Sequence, residues 1–302
     1  MAPRGDCVNG IDITKDHISI AQYSPSSQSI LNVAISPLDD AQSSASDQSF
    51  LKQSLKKLIG KMQAEGQDAV ASLPVDFAIV KKLMVDRGAP DLRDAVGWEL
   101  SQQIIGSIDD YSYDFEPCPA DGAGEVDYCI AAAYKSVHVQ NMASLLKAGK
   151  LNAVAVDLDM FALVNVFEAN YSDFVMSPAI IVHGKEHATS IIVTQNGSFL
   201  DFEIIDHQAG LSAADSYADL INETVGQGFA SLSQPSTFPI FCTGPVFGRP
   251  EFSDSVFSRL GNAQMLNPLS SIKATVSIPQ DDIKQCIPFL AVAVGCAIRG
   301  VQ

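Results

Sequence analysis

Basic residues are scarce in this chain: 19 Lys and Arg stand against 35 Asp and Glu, a formal charge of −16 over 302 residues. No basic cluster is longer than Lys56-Lys57 or Lys81-Lys82. Gripping a phosphate backbone requires a positive surface, so this balance argues against nucleic acid as a partner, and an anionic membrane surface would repel the chain for the same reason. Long apolar runs are missing too. The longest, Ile287 to Ile298, is shorter than the about 20 residues a bilayer span needs. The six cysteines (Cys7, Cys118, Cys129, Cys242, Cys286, Cys296) form no Cys-x-x-Cys pair and no spaced framework. Most sit in apolar runs, which reads as buried free thiols in a reducing compartment. The opening Met1-Ala2-Pro3-Arg4-Gly5-Asp6 has no apolar core of the kind a signal peptide carries. The cytoplasm is the reading these absences favour.

What is present is one β-meander pattern written twice. The first copy is Val8–Ile13, the turn Thr14-Lys15-Asp16, His17–Tyr23, a Ser/Pro turn and Ser29–Ile35. The second is Ala179–Val182, the segment His183-Gly184-Lys185-Glu186-His187, Thr189–Thr194, the turn Gln195-Asn196-Gly197 and Ser198–Ile205. Each copy reads as strand, short polar turn, strand, turn, strand. Two such units far apart imply a duplicated two-domain body whose equivalent turns face one cleft.

Between the copies, Ser36 to Ser49 reads as a loop, Asp47 to Glu65 as a helix by its apolar spacing, and Ala69 to Pro74 as a short buried strand. Residues 75 to 156 then read as a self-contained β-α-β-β-α-β subdomain whose last strand is Leu151–Val156. Helices follow over Met160–Asn170, Ala213–Phe229, Glu251–Leu260 and Asp282–Arg299, with a strand, Phe238–Cys242, running into Thr243-Gly244-Pro245.

Several segments, in order, resemble the PilM family, the actin-like proteins of type IV pilus assembly. Gly10-Ile11-Asp12-Ile13 resembles the family's opening, and Val96-Gly97-Trp98-Glu99-Leu100 followed by Ile108–Phe115 its helix-to-strand segment. Val154–Leu163 resembles its Val-Asp-Val-Glu-Pro-Phe-Ala-Leu, while Leu266-Asn267-Pro268 and Ala291–Gly300 resemble segments near its end. The resemblance implies an α/β fold of the actin-like (ribonuclease H-like) type. One domain would be residues 1–74 with 157–177 and 284–302, the inserted α+β subdomain 75–156, and the second domain 178–283. It implies a scaffold of the inner-membrane assembly platform, cytoplasmic and peripheral at that membrane through its partners. These would be the N-terminal tail of a PilN-like membrane protein and other platform proteins, with a homo-oligomer left open. The tail would lie near residues 75–115 and the first meander, using a sheet edge. The absence of a span in this sequence would separate the chain from secretion-system relatives that carry their own anchor, the alternative being a piece of a longer protein.

The same resemblance implies an ATP cleft, in which backbone N–H groups of Gly-rich turns meet phosphates and acidic residues organise Mg²⁺. Its candidate cofactor residues here are Asp12, Thr14, Lys15, Gly184, Lys185, Thr243 and Gly244, with Asp12 toward the metal and Asp159 where relatives have a water-orienting Glu. The pattern is incomplete. Thr14 replaces a close-approach Gly and would strain φ there, Ser19 replaces a Lys, Val182 occupies the place of the second Asp, and Pro245 replaces a Gly and removes a donor. The expectation is therefore a degenerate pocket, at most a weak ATPase, in which Lys15 or Lys185 compensates by charge. The alternative is a working Mg-ATP-dependent ATPase or small-molecule kinase.

Plainer readings stand beside these. Asp12 is equally readable as a turn cap. His183 and His187 have the spacing of a zinc pair but flank a turn and lack a third ligand. Lys185-Glu186 and Asp281-Asp282 read as solvated loop charges, Trp98 as core or interface packing, Met142, Met160 and Met176 as gap fillers, and Gly10 and Gly184 as turn glycines. No nucleophile constellation stands out.

Overall fold

The computed structural model describes residues 7–38, 48–86, 89–118, 126–207, 210–227, 229, 237–275 and 280–300; the side chains of residues 48, 126, 127 and 280–283 fall outside that description. The chain divides into two compact units, Met1–Leu73 with Leu146–Gln302, and Pro74–Leu145.

In chain order the elements begin with β1 (Val8–Ile13), β2 (His17–Ser24), β3 (Ser29–Pro37), α1 (Gln48–Met62), β4 (Asp68–Leu73), β5 (Ile79–Asp86) and α2 (Leu92–Ser101). Then come β6 (Tyr111–Pro117), β7 (Val126–Lys135), α3 (Ser136–Ala148), β8 (Asn152–Leu158), α4 (Asp159–Asn170), β9 (Ala179–Gly184), β10 (Ala188–Gln195) and β11 (Ser198–Asp206). The chain continues through α5 (Ala214–Gln227), β12 (Ile240–Thr243), α6 (Pro250–Arg259), β13 (Ala263–Met265), β14 (Lys273–Ala274) and α7 (Gln280–Arg299).

The larger unit holds two sheets with one topology. The first runs β14-β3-β2-β1-β4-β8 and the second β11-β10-β9-β12-β13. In each, a three-stranded antiparallel meander continues into two parallel strands. The correspondence extends to detail. The middle strand of each meander breaks register at the same place, between Gln22 and Tyr23 in β2 and between Val193 and Thr194 in β10. Each first turn is closed by the same backbone bond, Thr14 N–H to His17 C=O and Lys185 N–H to Ala188 C=O, both 3.0 Å. The β10–β11 turn is Asn196-Gly197 with φ of 55° and 66°, the primed geometry whose twist suits a two-residue hairpin.

Helix α7 covers the first sheet. Leu290 through Val294, Cys296 and Ala297 are buried, and the helix packs on β1, β2, β4 and α4. The approach is backbone to backbone: a Cβ on Gly10 would overlap the Ala293 carbonyl, and one on Gly295 the Ala162 carbonyl. Gly10 is therefore a mid-strand residue under a helix and not the turn glycine its neighbours implied. The second sheet is covered by α5 and α6 through Tyr217, Ile221, Val225, Phe252 and Val256 against Ile180, Val182, Ile191 and Val193.

In the smaller unit β7 lies between β5 and β6, all antiparallel. Helix α2 starts where the Asp91 carboxylate accepts from the N–H groups of Arg93 and Asp94. It packs Val96 and Leu100 on Leu83, Val85, Cys129 and Ala131. The strand read as the last of this subdomain, β8, instead pairs in parallel with β4 in the larger unit's sheet. Trp98 lies on the outer side of α2 and is 63% exposed, and Met176 is exposed as well, so neither is core packing. Most of the turn read at Pro117–Gly124 and of the loop at 36–49 lies outside the described residues.

Candidate functional site

The duplicated turns of the larger unit converge on one cleft, lined by Asp12, His17, His183, Thr243, Gly244, Pro245, Pro288 and Phe289 among others. The space between them is too narrow to admit a water molecule.

Asp12 comes from the end of β1. It is buried and accepts a 2.7 Å hydrogen bond from the Ser72 hydroxyl of β4. Burial pushes its carboxyl up to about 6, the Ser72 bond opposing and the nearby Asp159 charge adding to the rise. Asp159 is the first residue of α4, where the helix N-terminus favours a negative charge, and is also buried. Lys185, from the β9–β10 turn, donates to Asp159 Oδ2 at 2.9 Å. It is thus a part-buried partner of a buried acid and not a solvated loop charge. Its neighbour Glu186 pairs with Arg249 at 3.0 Å.

Two imidazoles complete the polar wall. His17 Nε2 lies 3.9 Å from Asp12 and His183 Nδ1 3.7 Å from Asp159, too far for hydrogen bonds, and neither nitrogen has a partner among the described residues. Burial holds both rings neutral, lowering His17 to about 4 and His183 to about 3.

The topology pairs these residues. Asp12 stands opposite Ser19 as His183 stands opposite Ser190. The parallel register, carried one residue beyond Ile11↔Ala71, aligns Ser72 with Asp12 as Thr243 aligns with His183. The second copy thus places His183 at the position of Asp12, one residue beyond the expected Val182, which is buried in the core. Ser19 and Ser190, also equivalent, both carry buried hydroxyls with no partner among the described residues.

The remaining expected residues divide. Thr14 turns into its own loop, its hydroxyl accepting from the N–H groups of Asp16 and His17 at 3.2 and 3.1 Å. Its φ is not positive, so the expected strain is absent. Lys15 is exposed. Gly184 ends strand β9, and a Cβ there would crowd Tyr217, Phe247 and Val246; packing requires the glycine. Gly244 has φ 103° against the Gly184 backbone, and its N–H donates to the Pro288 carbonyl of α7 at 2.9 Å. The Thr243 hydroxyl donates to the same carbonyl at 3.4 Å. Phe289 sets its ring edge-on to His17 and fills the space beside Gly248. His187 is exposed while His183 is buried, and no group of three metal-ligating side chains occurs among the described residues. The backbone of Asp281-Asp282 lies in α7; their side chains are outside the described residues.

Sequence reasoning missed Ser72, Pro288, Phe289 and the place of His183. Counting residues from the start of each duplicated strand would have found His183. Nothing local marks Pro288 or Phe289 as facing a cleft 45 residues away in sequence from Thr243.

Residues 10–195 match the family model described as Type IV pilus assembly protein PilM. No curated protein matches the chain in sequence. Among solved structures, a PilM–PilN type IV pilus biogenesis complex is similar at 18% identity over 99% of this chain and 100% of that one, TM-score 0.78. The cytoplasmic domain of EpsL, an inner-membrane component of the Vibrio cholerae type II secretion system, is 9% identical over 98% and 95%, TM-score 0.56. The ethanolamine utilization protein EutJ of Carboxydothermus hydrogenoformans is 11% identical over 99% and 90%, TM-score 0.53. These likenesses make the fold actin-like. No described helix is long and apolar enough to cross a membrane.

Proposed function

Since the chain belongs to the type IV pilus assembly protein PilM family, we propose that it is a scaffold of the inner-membrane assembly platform, holding the N-terminal tail of a PilN-like protein and turning over no nucleotide. It would work in the cytoplasm, reaching the membrane through that partner and other platform proteins.

The observation that carries the reading is where the cleft's polar groups are directed. A magnesium-nucleotide needs backbone donors aimed at phosphates and carboxylates left for the cation. Here the Gly244 N–H is engaged by Pro288, Asp159 by Lys185, and Asp12 by Ser72. Phe289 lines the narrow space beside His17. As arranged, these residues do not fit Mg-ATP, and no chemical step is derived through it.

A peptide partner asks for less: an unpaired strand edge and pockets for alternate side chains. The larger unit offers β8, at the end of its sheet, with Asn152, Ala153 and Val154 exposed. The smaller unit offers β5 and β6 at the two ends of its sheet, Met84 exposed on the former. The likeness to the PilM–PilN complex supports a partner of that kind.

Two titrations test the reading. A synthetic N-terminal tail of a PilN-like protein should bind the purified chain, and no binding up to millimolar peptide would count against the scaffold. Mg-ATP should leave Tm unmoved, whereas a nucleotide at 100 times its Kd would add about 2.7 kcal/mol of stability. A clear upward shift would favour the ATPase alternative.

A further inference from the structure

The cleft region contains two buried carboxylates, Asp12 and Asp159, close enough that the Asp159 charge raises the proton affinity of Asp12. Two acids held together in a buried space stay ionised only where a positive charge offsets their burial. The adjacent imidazoles do not provide one, because burial keeps His17 and His183 neutral. The charge arrives from the other half of the unit. Lys185 projects from the β9–β10 turn of the second sheet, and Asp159 heads the helix that follows β8 of the first. Nζ and Oδ2 are 2.9 Å apart, with the side chains only 12% and 4% exposed.

We propose that Lys185 is the resident cation of this cleft, standing where a divalent ion would otherwise have to neutralise Asp12 and Asp159, and that its bond to Asp159 latches the two halves in one fixed relation. This inference rests on the reading of the cleft as closed to nucleotide and names what closes it. The turn geometry makes the latch specific. The equivalent residue of the first copy is Thr14, whose hydroxyl is consumed by its own loop and reaches across nothing. The duplication is thus broken at this position: the lysine of the second turn faces the cleft, whereas that of the first, Lys15, sits one residue later and is exposed. An ammonium on a flexible stem can span the cleft and present three donors to acids on the far side. Unlike a bound ion, it cannot dissociate. The halves would then hold their relation whatever the surrounding concentration of metal or nucleotide, which suits a platform component and not a cycling enzyme.

The experiment is a double-mutant cycle on the full chain, read as Tm with EDTA and with 10 mM MgCl₂ or MnCl₂, without nucleotide, at about 10 mM salt. Removing one partner of a buried pair leaves an uncompensated charge, so Lys185→Met should lower Tm by about 5 °C or more. Asp159→Asn should also lower it, and the double variant should lose clearly less than the sum of the two. Lys185→Arg, which keeps the charge, should stay near the parent. The divalent ions should restore part of the K185M loss while leaving the parent unmoved. If K185M does not fold but the double variant does, the coupling is demonstrated directly. Additive losses overturn the latch; a K185M protein as indifferent to divalent ions as the parent overturns the resident-cation role, and failure of all the variants, K185R included, to fold also counts against it. None of these results depends on whether Mg-ATP stabilises the parent, so failure here is distinguishable from failure of the closed-cleft reading.

Discussion

Phe289 stands edge-on to His17, ring centroids 5.1 Å apart and planes at 83°. The contact joins the last helix to the start of β2, and the ring covers His17 on that side. Burial is the leading cause of the depressed His17 affinity for protons. Phe289→Ala should therefore let water in and raise the His17 pKa from about 4 toward the ordinary 6.5. Phe289 is only half-buried, so the stability cost should be about 1–3 kcal/mol, below that of a fully buried phenylalanine. Histidine NMR titration checks the first outcome and chemical denaturation the second. An unchanged His17 titration would mean that Phe289 does not seal the site.

Gly295 tests the core. Because its missing Cβ is replaced by the Ala162 carbonyl, Gly295→Ala would force α7 and α4 apart along their whole contact. The expected loss is about 3 kcal/mol or more, well beyond a normal surface or helix-propensity effect. Gly226 of α5, which has open space around it, is the control: Gly226→Ala should be neutral or slightly stabilising. Equal melting temperatures for the two variants would refute the backbone-contact account.

These two glycines also show what the sequence could tell. The meanders, most helices and the duplication were legible because period-2 and period-3.6 patterns and turn residues are local signals. Asp12, Asp159, Thr243 and Gly244 are singled out by a family resemblance alone; in the structure Asp12, Thr243 and Gly244 line the cleft and Asp159 lies behind His183. Gly10 looked like turn chemistry because the residue type is the same whether φ or close packing demands it; only the helix lying on β1 distinguishes them. Trp98 looked like core because size and apolarity say nothing about which side of a short helix faces water. The short strands β13 and β14 carry too few residues for any period. The place of β8 follows from long-range pairing with β4, which no window of sequence contains.

Trp98 provides a direct optical check, since the chain has a single tryptophan. At 63% exposure, its emission should lie close to that of a solvated indole and be readily quenched by acrylamide in the native protein. Trp98→Ala should change stability by less than about 0.5 kcal/mol, as exposed positions usually do. A blue-shifted, protected emission in the isolated chain would show that this face is covered in solution. Quenching lost only on adding the PilN-like peptide would instead place the peptide near α2.

The cleft's titrations oppose one another, and the balance gives a pH profile. His17 and His183 bind protons less readily folded, near 4 and 3, than their ordinary 6.5. Their contribution is complete above pH 6.5 and is lost as pH falls toward those values, because the unfolded chain takes up protons that the folded chain refuses. Asp12 behaves in reverse. Its folded value of about 6 exceeds the ordinary 3.8, so its contribution is complete below 3.8 and lost as pH rises through 6. Between pH 6 and 4 two imidazoles thus destabilise on acidification while one carboxyl stabilises, each proton counting for about 1.4 kcal/mol per pH unit. The groups facing them (Asp16 beside His17, Asp159 and Lys185 beside His183 and Asp12) are the ones that set the residual fields. The cleft's net contribution to stability should therefore fall on acidification across this window, with a slope near one proton. Asp12→Asn should steepen the fall toward two protons, because the compensating carboxyl is gone. His183→Gln should flatten it, since the remaining imidazole and Asp12 then nearly cancel. Denaturation midpoints for the three proteins, taken at half-unit steps of pH, decide the matter: identical slopes would mean that these buried groups do not carry the titration.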